Sequence, residues 1–163
     1  MEIRKTNKKD LKEVMEIYAY ARKFMAEHGN PNQWKTTNPT SERIEQDIEK
    51  GKSYVCVEGT EILGVFYFAV EEDSTYKVIY DGNWKNYNTY AVVHRIASAG
   101  KAKGVGTFCI NWAYEQFPNI RIDTHRDNLV MQNMLKKNGF NYCGVIYLGN
   151  GEERLAFQKI STL

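Results

Sequence analysis

The residues with the most chemical content form one stretch, Ser98-Ala99-Gly100-Lys101-Ala102-Lys103-Gly104-Val105-Gly106-Thr107, set between a β-rich run and an apolar-periodic run. Glycines at a helix start let backbone N–H groups turn outward toward an anion, and the helix N-terminus itself carries partial positive charge. Lys101 and Lys103 add mobile positive charge beside it. Together these parts suit a pyrophosphate. A Walker loop requires Gly-x-x-x-x-Gly-Lys-Ser/Thr, which the chain does not contain, and a dinucleotide fingerprint requires a third glycine where Cys109 stands.

Composition narrows the class of protein that carries this loop. The chain has 163 residues, 42% of them apolar and 13% aromatic, with 22 Lys+Arg against 20 Asp+Glu for a net charge of +2. The length is that of one domain, 1–163, able to bury roughly 70% of its extended surface. Near-neutrality argues against nucleic acid as a partner, since such binders carry a strong basic excess. No apolar run is long enough to span a membrane, and the charged start MEIRKTNKKDLKEV has no signal-peptide core. Cys56, Cys109 and Cys143 are far apart and odd in number, so they read as reduced thiols of a cytoplasmic protein, with neither a disulfide frame nor a metal site.

The elements that must position the loop follow from periodicity. Ile3–Lys5 reads as a short strand, and Leu11, Val14, Ile17, Tyr18, Ala21 and Met25 mark an amphipathic helix that stops near Gly29. Thr40-Ser41-Glu42 opens a second helix, and Gly51 ends it. Ser53–Val57 and Ile62–Val70 form a hairpin around Gly59. The aromatic-rich 71–88 stretch reads as a loop, and Tyr90–Ala97 as a strand feeding the glycine loop. A helix from Val105 ends at Pro118, Ile120–Thr124 is a strand, and Asp127 caps a helix that Asn138-Gly139 closes. Phe140–Leu148 and Arg154–Lys159 make a last hairpin. The order is β-α-α-β-β-β-α-β-α-β-β, one mixed α/β domain.

Lys101-Ala102-Lys103-Gly104-Val105-Gly106 resembles the Gln/Arg-x-x-Gly-x-Gly/Ala loop of the GNAT superfamily of N-acetyltransferases, with Lys at the first place. Asn128 to Phe140 resembles the same superfamily's later helix, Asn-x-x-Ala-x-x-x-Tyr-x-x-x-Gly-Phe, with Met131 at the alanine and Leu135 at the tyrosine. The element order looks like that fold along the whole chain. The resemblance implies a mostly antiparallel twisted sheet of about six to seven strands with about four helices, splayed between Tyr90–Ala97 and Ile120–Thr124. It implies acetyl-CoA as co-substrate, without a metal. Ile96, Ala97 and Ser98 would meet the pantetheine arm, Lys103 to Thr107 the pyrophosphate, and Asn128 the pantetheine or sulfur unless it only caps its helix.

The same resemblance leaves the proton carriers open. Leu135 cannot donate a proton where the family has its usual acid, so Tyr147 is the first replacement and aromatic packing its alternative reading. His94 stands where related enzymes place a base, and an imidazole with an ordinary pKa of about 6.5 suits the task. The competing reading is a packed histidine. Strict alternation would put His94 and Ile96 on one face and Arg95 and Ala97 on the other. His125 reads as a loop residue. Trp34, Tyr80 and Trp84 form either an aromatic wall for the acceptor or plugs of the core, and Glu71, Glu72 and Asp73 either attract an amine or make a solvated turn. The acceptor is then a small-molecule or peptide amine, and a homodimer through β edges is compatible with the pattern. The reading from another class is a coenzyme A-binding module without catalysis.

Overall fold

The computed structural model describes residues 1–161 of the 163. The strands are β1 (Glu2–Lys5), β2 (Ser53–Glu58), β3 (Glu61–Val70), β4 (Ala91–Ser98), β5 (Asn119–Thr124), β6 (Asn141–Tyr147) and β7 (Glu153–Ile160). The helices are α1 (Leu11–Glu27), α2 (Ser41–Glu49), α3 (Val105–Gln116) and α4 (Leu129–Lys137). All seven strands join one sheet in the order β1-β2-β3-β4-β5-β7-β6. Only β4 and β5 run parallel, because α3 carries the chain back between them.

Helices cover both faces. On one, Val14, Ile17 and Tyr18 of α1 and Ile44 of α2 pack on Val55, Val65 and Ala97. On the other, Ile110 and Ala113 of α3 and Leu135 of α4 pack on Phe66, Val93 and Ile120. Leu135 is fully buried, so an apolar side chain there serves the core. Beyond the end of α1, the first face is completed by Tyr76 and Trp84 from the 71–90 segment, packed on Tyr67, Tyr90 and Val92. Among the described residues no helix is long and apolar enough to cross a membrane.

Two irregularities make the sheet usable. First, β4 and β5 pair only at Ala91↔Ile120 and Val92↔Arg121, so from Val93 onward that edge of β4 has no strand beside it. Second, β4 carries one extra residue relative to β3. Tyr67 faces His94, but Val65 faces Ala97, so the register shifts at Arg95 and Ile96. Arg95 takes the left-handed conformation, φ 48°, which is unfavourable for a residue with a Cβ. It is held there by Tyr18 Oη, which donates to its carbonyl at 2.7 Å, and by a fork to Asp47 of 2.9 and 3.0 Å. The bulge corrects the alternation expected above. His94 and Ala97 share a face because opposed residues of antiparallel strands point the same way, and Arg95 joins them at the cleft.

Candidate functional site

The glycine loop folds as its residue types require. Gly100 and Gly104 have φ of 73° and 76°, the left-handed region in which glycine meets no Cβ penalty. A Cβ on Gly100 would meet the Tyr20 hydroxyl, whereas Gly104 faces open space. Gly104 is the N-cap of α3, and without a side chain it leaves the helix's first amides uncapped. The first turn of α3 contains no acidic residue. Lys101 and Lys103 are exposed beside it. The Val105 side chain is buried against Gly64, so only its backbone is available to a ligand.

A largely apolar groove of about 390 Å³ runs from this helix start along the unpaired edge of β4. Its lining includes Phe24 of α1, Ile96, Ala97 and Ser98 of β4, and Gly106 and Thr107 of α3. A linear apolar arm with an anionic end fits a groove with one apolar wall, a free backbone edge and an uncapped helix terminus. Asn128 lies where this groove meets a second cavity. Its Oδ1 accepts from Met131 N–H at 3.0 Å, which makes it the N-cap of α4 in place of Asp127, and its Nδ2 donates to Gln33 Oε1 at 3.0 Å. Helix capping and a place in the groove are therefore both observed for this residue. A Cβ on Gly106 would touch Met134 Cε at an ordinary 3.6 Å, so a larger side chain fits the helix and intrudes on the groove. Gly106→Val is expected to remain folded and to weaken acetyl-CoA binding at least tenfold by isothermal titration calorimetry.

The second cavity, of about 610 Å³, opens where β4 and β5 part, and shares Met25, Ile96, Asn128 and Met131 with the groove. His94 lines it, and its Nε2 lies 3.0 Å from Asp73 Oδ2. Asp73 is fully committed. Its Oδ1 accepts from Thr75 N–H at 2.8 Å and Thr75 Oγ1 at 2.6 Å, and its own N–H donates to Tyr90 Oη at 2.9 Å. Burial alone would raise its pKa, but the hydrogen bonds from His94 and Thr75 outweigh that and hold it down at about 2. With Nε2–H directed to Asp73, His94 Nδ1 keeps its lone pair for a proton. The neighbouring Glu71 turns away to Lys52 at 2.6 Å and Tyr67 Oη at 2.7 Å.

Of the aromatic residues expected at the acceptor, only Trp34 lines the cavity, edge-on to Tyr18 at 5.7 Å. Trp84 is buried, donates to the Tyr76 carbonyl at 2.9 Å and carries the Arg121 guanidinium 4.2 Å above its ring. It is a plug of the core. Tyr80 bridges to Val145 of β6 and sets its ring edge-on to Tyr147 at 5.4 Å. Both tyrosines are half-exposed and line neither cavity. The reason is alternation: Ile146 and Leu148 turn to the face of Tyr67 and Val92, where Leu148 lines the cavity, so Tyr147 between them is turned away from it. His125 also stays in its turn, where Nδ1 accepts from Asp127 N–H at 3.0 Å.

Three cleft residues escaped the sequence reading: Arg43 on α2, Asp123 on β5 and Arg154 on β7. Asp123 was within reach, since pairing Ile120–Thr124 in parallel beside the His94 strand would have brought an acid to the fork. Arg43 and Arg154 had no such signal, because nothing in a surface-like arginine tells that its strand or helix borders a cavity.

No protein-family model matches the chain, and no curated protein matches it. Solved structures do. A Brucella melitensis ribosomal-protein-alanine N-acetyltransferase is 16% identical over 99% of this chain and 100% of its own, with a TM-score of 0.69. The Salmonella typhimurium protein yncA, solved with acetyl-CoA, is 12% identical over 99% and 95%, with a TM-score of 0.66. At those identities the likeness is one of fold. A Streptococcus agalactiae GNAT-family acetyltransferase is 30% identical over 99% of this chain and 96% of its own, with a TM-score of 0.90. With that identity over nearly all of both chains, this chain belongs to the GNAT family of acetyltransferases.

Proposed function

We propose that the chain, as a single domain, transfers an acetyl group directly from acetyl-CoA to a primary amine, with His94 as the general base. The observation that carries this reading is the His94–Asp73 pair at the parting of β4 and β5, beside the residues that the groove and the cavity share. When bound, acetyl-CoA supplies the thioester-activated acetyl group. Ile96 to Ser98 and the α3 start, from Lys103 to Thr107 with Lys101 beside them, hold and orient it, and Asn128 borders both reactants.

An amine arrives as an ammonium and is inert until it loses a proton. His94 Nδ1 takes that proton, and Asp73 stabilises the imidazolium and fixes the ring orientation. The amine nitrogen then forms the C–N bond as the C–S bond breaks, and its remaining surplus proton leaves on the thiolate. One proton passes from His94 to solvent per turnover. No tyrosine acid is required in this scheme, which agrees with Leu135 in the core and Tyr147 at the far edge. Cys56, Cys109 and Cys143 are all buried and free, consistent with a reducing compartment such as the cytoplasm.

The test is acetyl-CoA-dependent release of free thiol across a panel of primary amines. Sustained release with at least one acceptor, matched by an acetylated product in the mass spectrum, is the expected result. Binding of acetyl-CoA without turnover across the panel would overturn catalysis in favour of a coenzyme A-binding module.

A further inference from the structure

The cavity floor beyond His94 carries two opposite charges in a fixed relation. The strands part after Val92↔Arg121, and His94 and Asp123 each follow that pair by two residues, on the same face at the two sides of the opening. In β7, Ala156 stands opposite Asp123, so Arg154, two residues from Ala156, emerges on the same face as a diagonal neighbour. All three line the cavity.

Asp123 uses only one oxygen within the protein. Its Oδ2 accepts from the buried Tyr76 hydroxyl at 2.6 Å, and Oδ1 has no hydrogen bond among the described residues. Burial raises its pKa, against the opposing pull of His94, Tyr76 and Arg154. A carboxylate so poorly solvated gains from a cation placed beside it.

Arg154 is the counterpart. It is 5% exposed and braced mainly by main-chain carbonyls, Nη1 to Glu153 at 2.9 Å and Nη2 to Gln33 at 3.3 Å. Its one ion pair among the described residues is a long 3.4 Å approach to Glu152, whose carboxylate is also engaged by Lys35 at 2.7 Å. With Nη1 and Nη2 so engaged, the Nε–H has no hydrogen bond among the described residues, and the guanidinium keeps both a donor and a loosely matched charge for a second carboxylate.

We infer that the acceptor is a free α-amino acid, its ammonium at Asp123 and His94 and its carboxylate on Arg154. The two charges of an α-amino acid flank a single carbon, and here an acid and an arginine stand as neighbours on one face beside the base. A polyamine or aminoglycoside would leave Arg154 facing cationic groups. A peptide N-terminus would offer it only a neutral carbonyl. The cavity volume lies in the range of roughly 300–1,000 Å³ usual for small-molecule sites, with room for a side chain. The inference rests on the acetyl-transfer reading above.

The experiment compares α-amino acids, their carboxamides and aliphatic diamines as acceptors in the thiol-release assay with the full chain. The carboxamide's amine loses its proton more readily, so intrinsic reactivity favours the amide and any preference for the acid must come from binding. At least one amino acid is expected to exceed its own amide by about 30-fold in kcat/KM, with the difference in KM. Arg154→Lys, which keeps the charge and loses the Nε–H, should lower the amino acid's kcat/KM about tenfold and the amide's by far less. Amides or diamines turned over as well as or better than the acids would overturn the inference and leave acetyl transfer standing. An equal loss for acid and amide in Arg154→Lys would remove Arg154 from recognition. Acetyl-CoA binding with no release from any acceptor would overturn the proposed function and this inference together.

Discussion

His94→Ala should lower kcat by about 10²–10³-fold, roughly 3–4 kcal/mol of transition-state stabilisation, while the acetyl-CoA dissociation constant stays within about twofold. The separation follows from position. His94 lines the cavity and not the groove, so its loss leaves the proposed coenzyme A groove intact and removes the only imidazole that lines the fork. The pH profile gives a second readout. Asp73, held at about 2, remains a carboxylate at every pH where the enzyme can be assayed. Its stabilising contribution is complete above the ordinary carboxylate range and is lost progressively as pH falls from that range through about 2. A rise of kcat with pH that is present in the wild type and absent in His94→Ala would therefore trace to His94 and not to Asp73. In Asp73→Asn the imidazolium loses its counter-charge and the ring its orienting partner, so kcat should fall. Tyr147→Phe, at the far sheet edge, should leave kcat unchanged. A His94→Ala enzyme with wild-type turnover and an unaltered profile would remove His94 from the mechanism.

What the chain disclosed in advance depended on whether the signal was local. The strands and helices were legible because Val14, Ile17, Tyr18 and Ala21 recur at helical spacing and Ser53–Val57 alternates. The groove was legible because Gly100, Gly104 and Gly106 stand together and act through their own backbone. The cleft is assembled from β4, β5, β7, α2 and the 71–90 segment, and its geometry depends on one inserted residue. Without the bulge at Arg95, alternation would send Ala97 to the wrong face and leave Asp47 without its partner. Nothing in Tyr90–Ala97 marks that insertion, because the residues that stabilise it, Tyr18 and Asp47, are far away in sequence. Tyr147, expected as an acid, and Trp84, expected at the acceptor wall, stand elsewhere for a related reason: their types suit those roles, but strand alternation and the packing of the 71–90 segment decide which side chains reach the cavity.

That bulge makes the second large effect a matter of stability. Asp47→Ala should destabilise the fold by about 3 kcal/mol, because it strands a buried guanidinium that cannot give up its charge. For a chain of this size that is a fall of roughly 6–12 °C in Tm. The side chains of Arg95 and Asp47 are 15% and 6% exposed, and the guanidinium also lies 4.7 Å above the Tyr67 ring. Burial raises the Asp47 pKa despite the pull of Arg95, so the pair costs about as much in desolvation as it returns in attraction. Two consequences follow. Replacing both partners with apolar residues, Asp47→Leu with Arg95→Met, should cost much less than Asp47→Ala alone. The single substitutions should also differ in their response to pH. In Arg95→Met the remaining carboxylate has a folded pKa above its unfolded value. Its neutral form is tolerated, so this variant gains stability relative to wild type as pH falls through that raised pKa. Asp47→Ala has no proton to take up at that site and should show no such recovery. Denaturation curves between pH 4 and 8 that run parallel for the two variants would show that the fork contributes only packing. A divergence at low pH would show that its charges hold the bulge, and through the bulge the direction of His94.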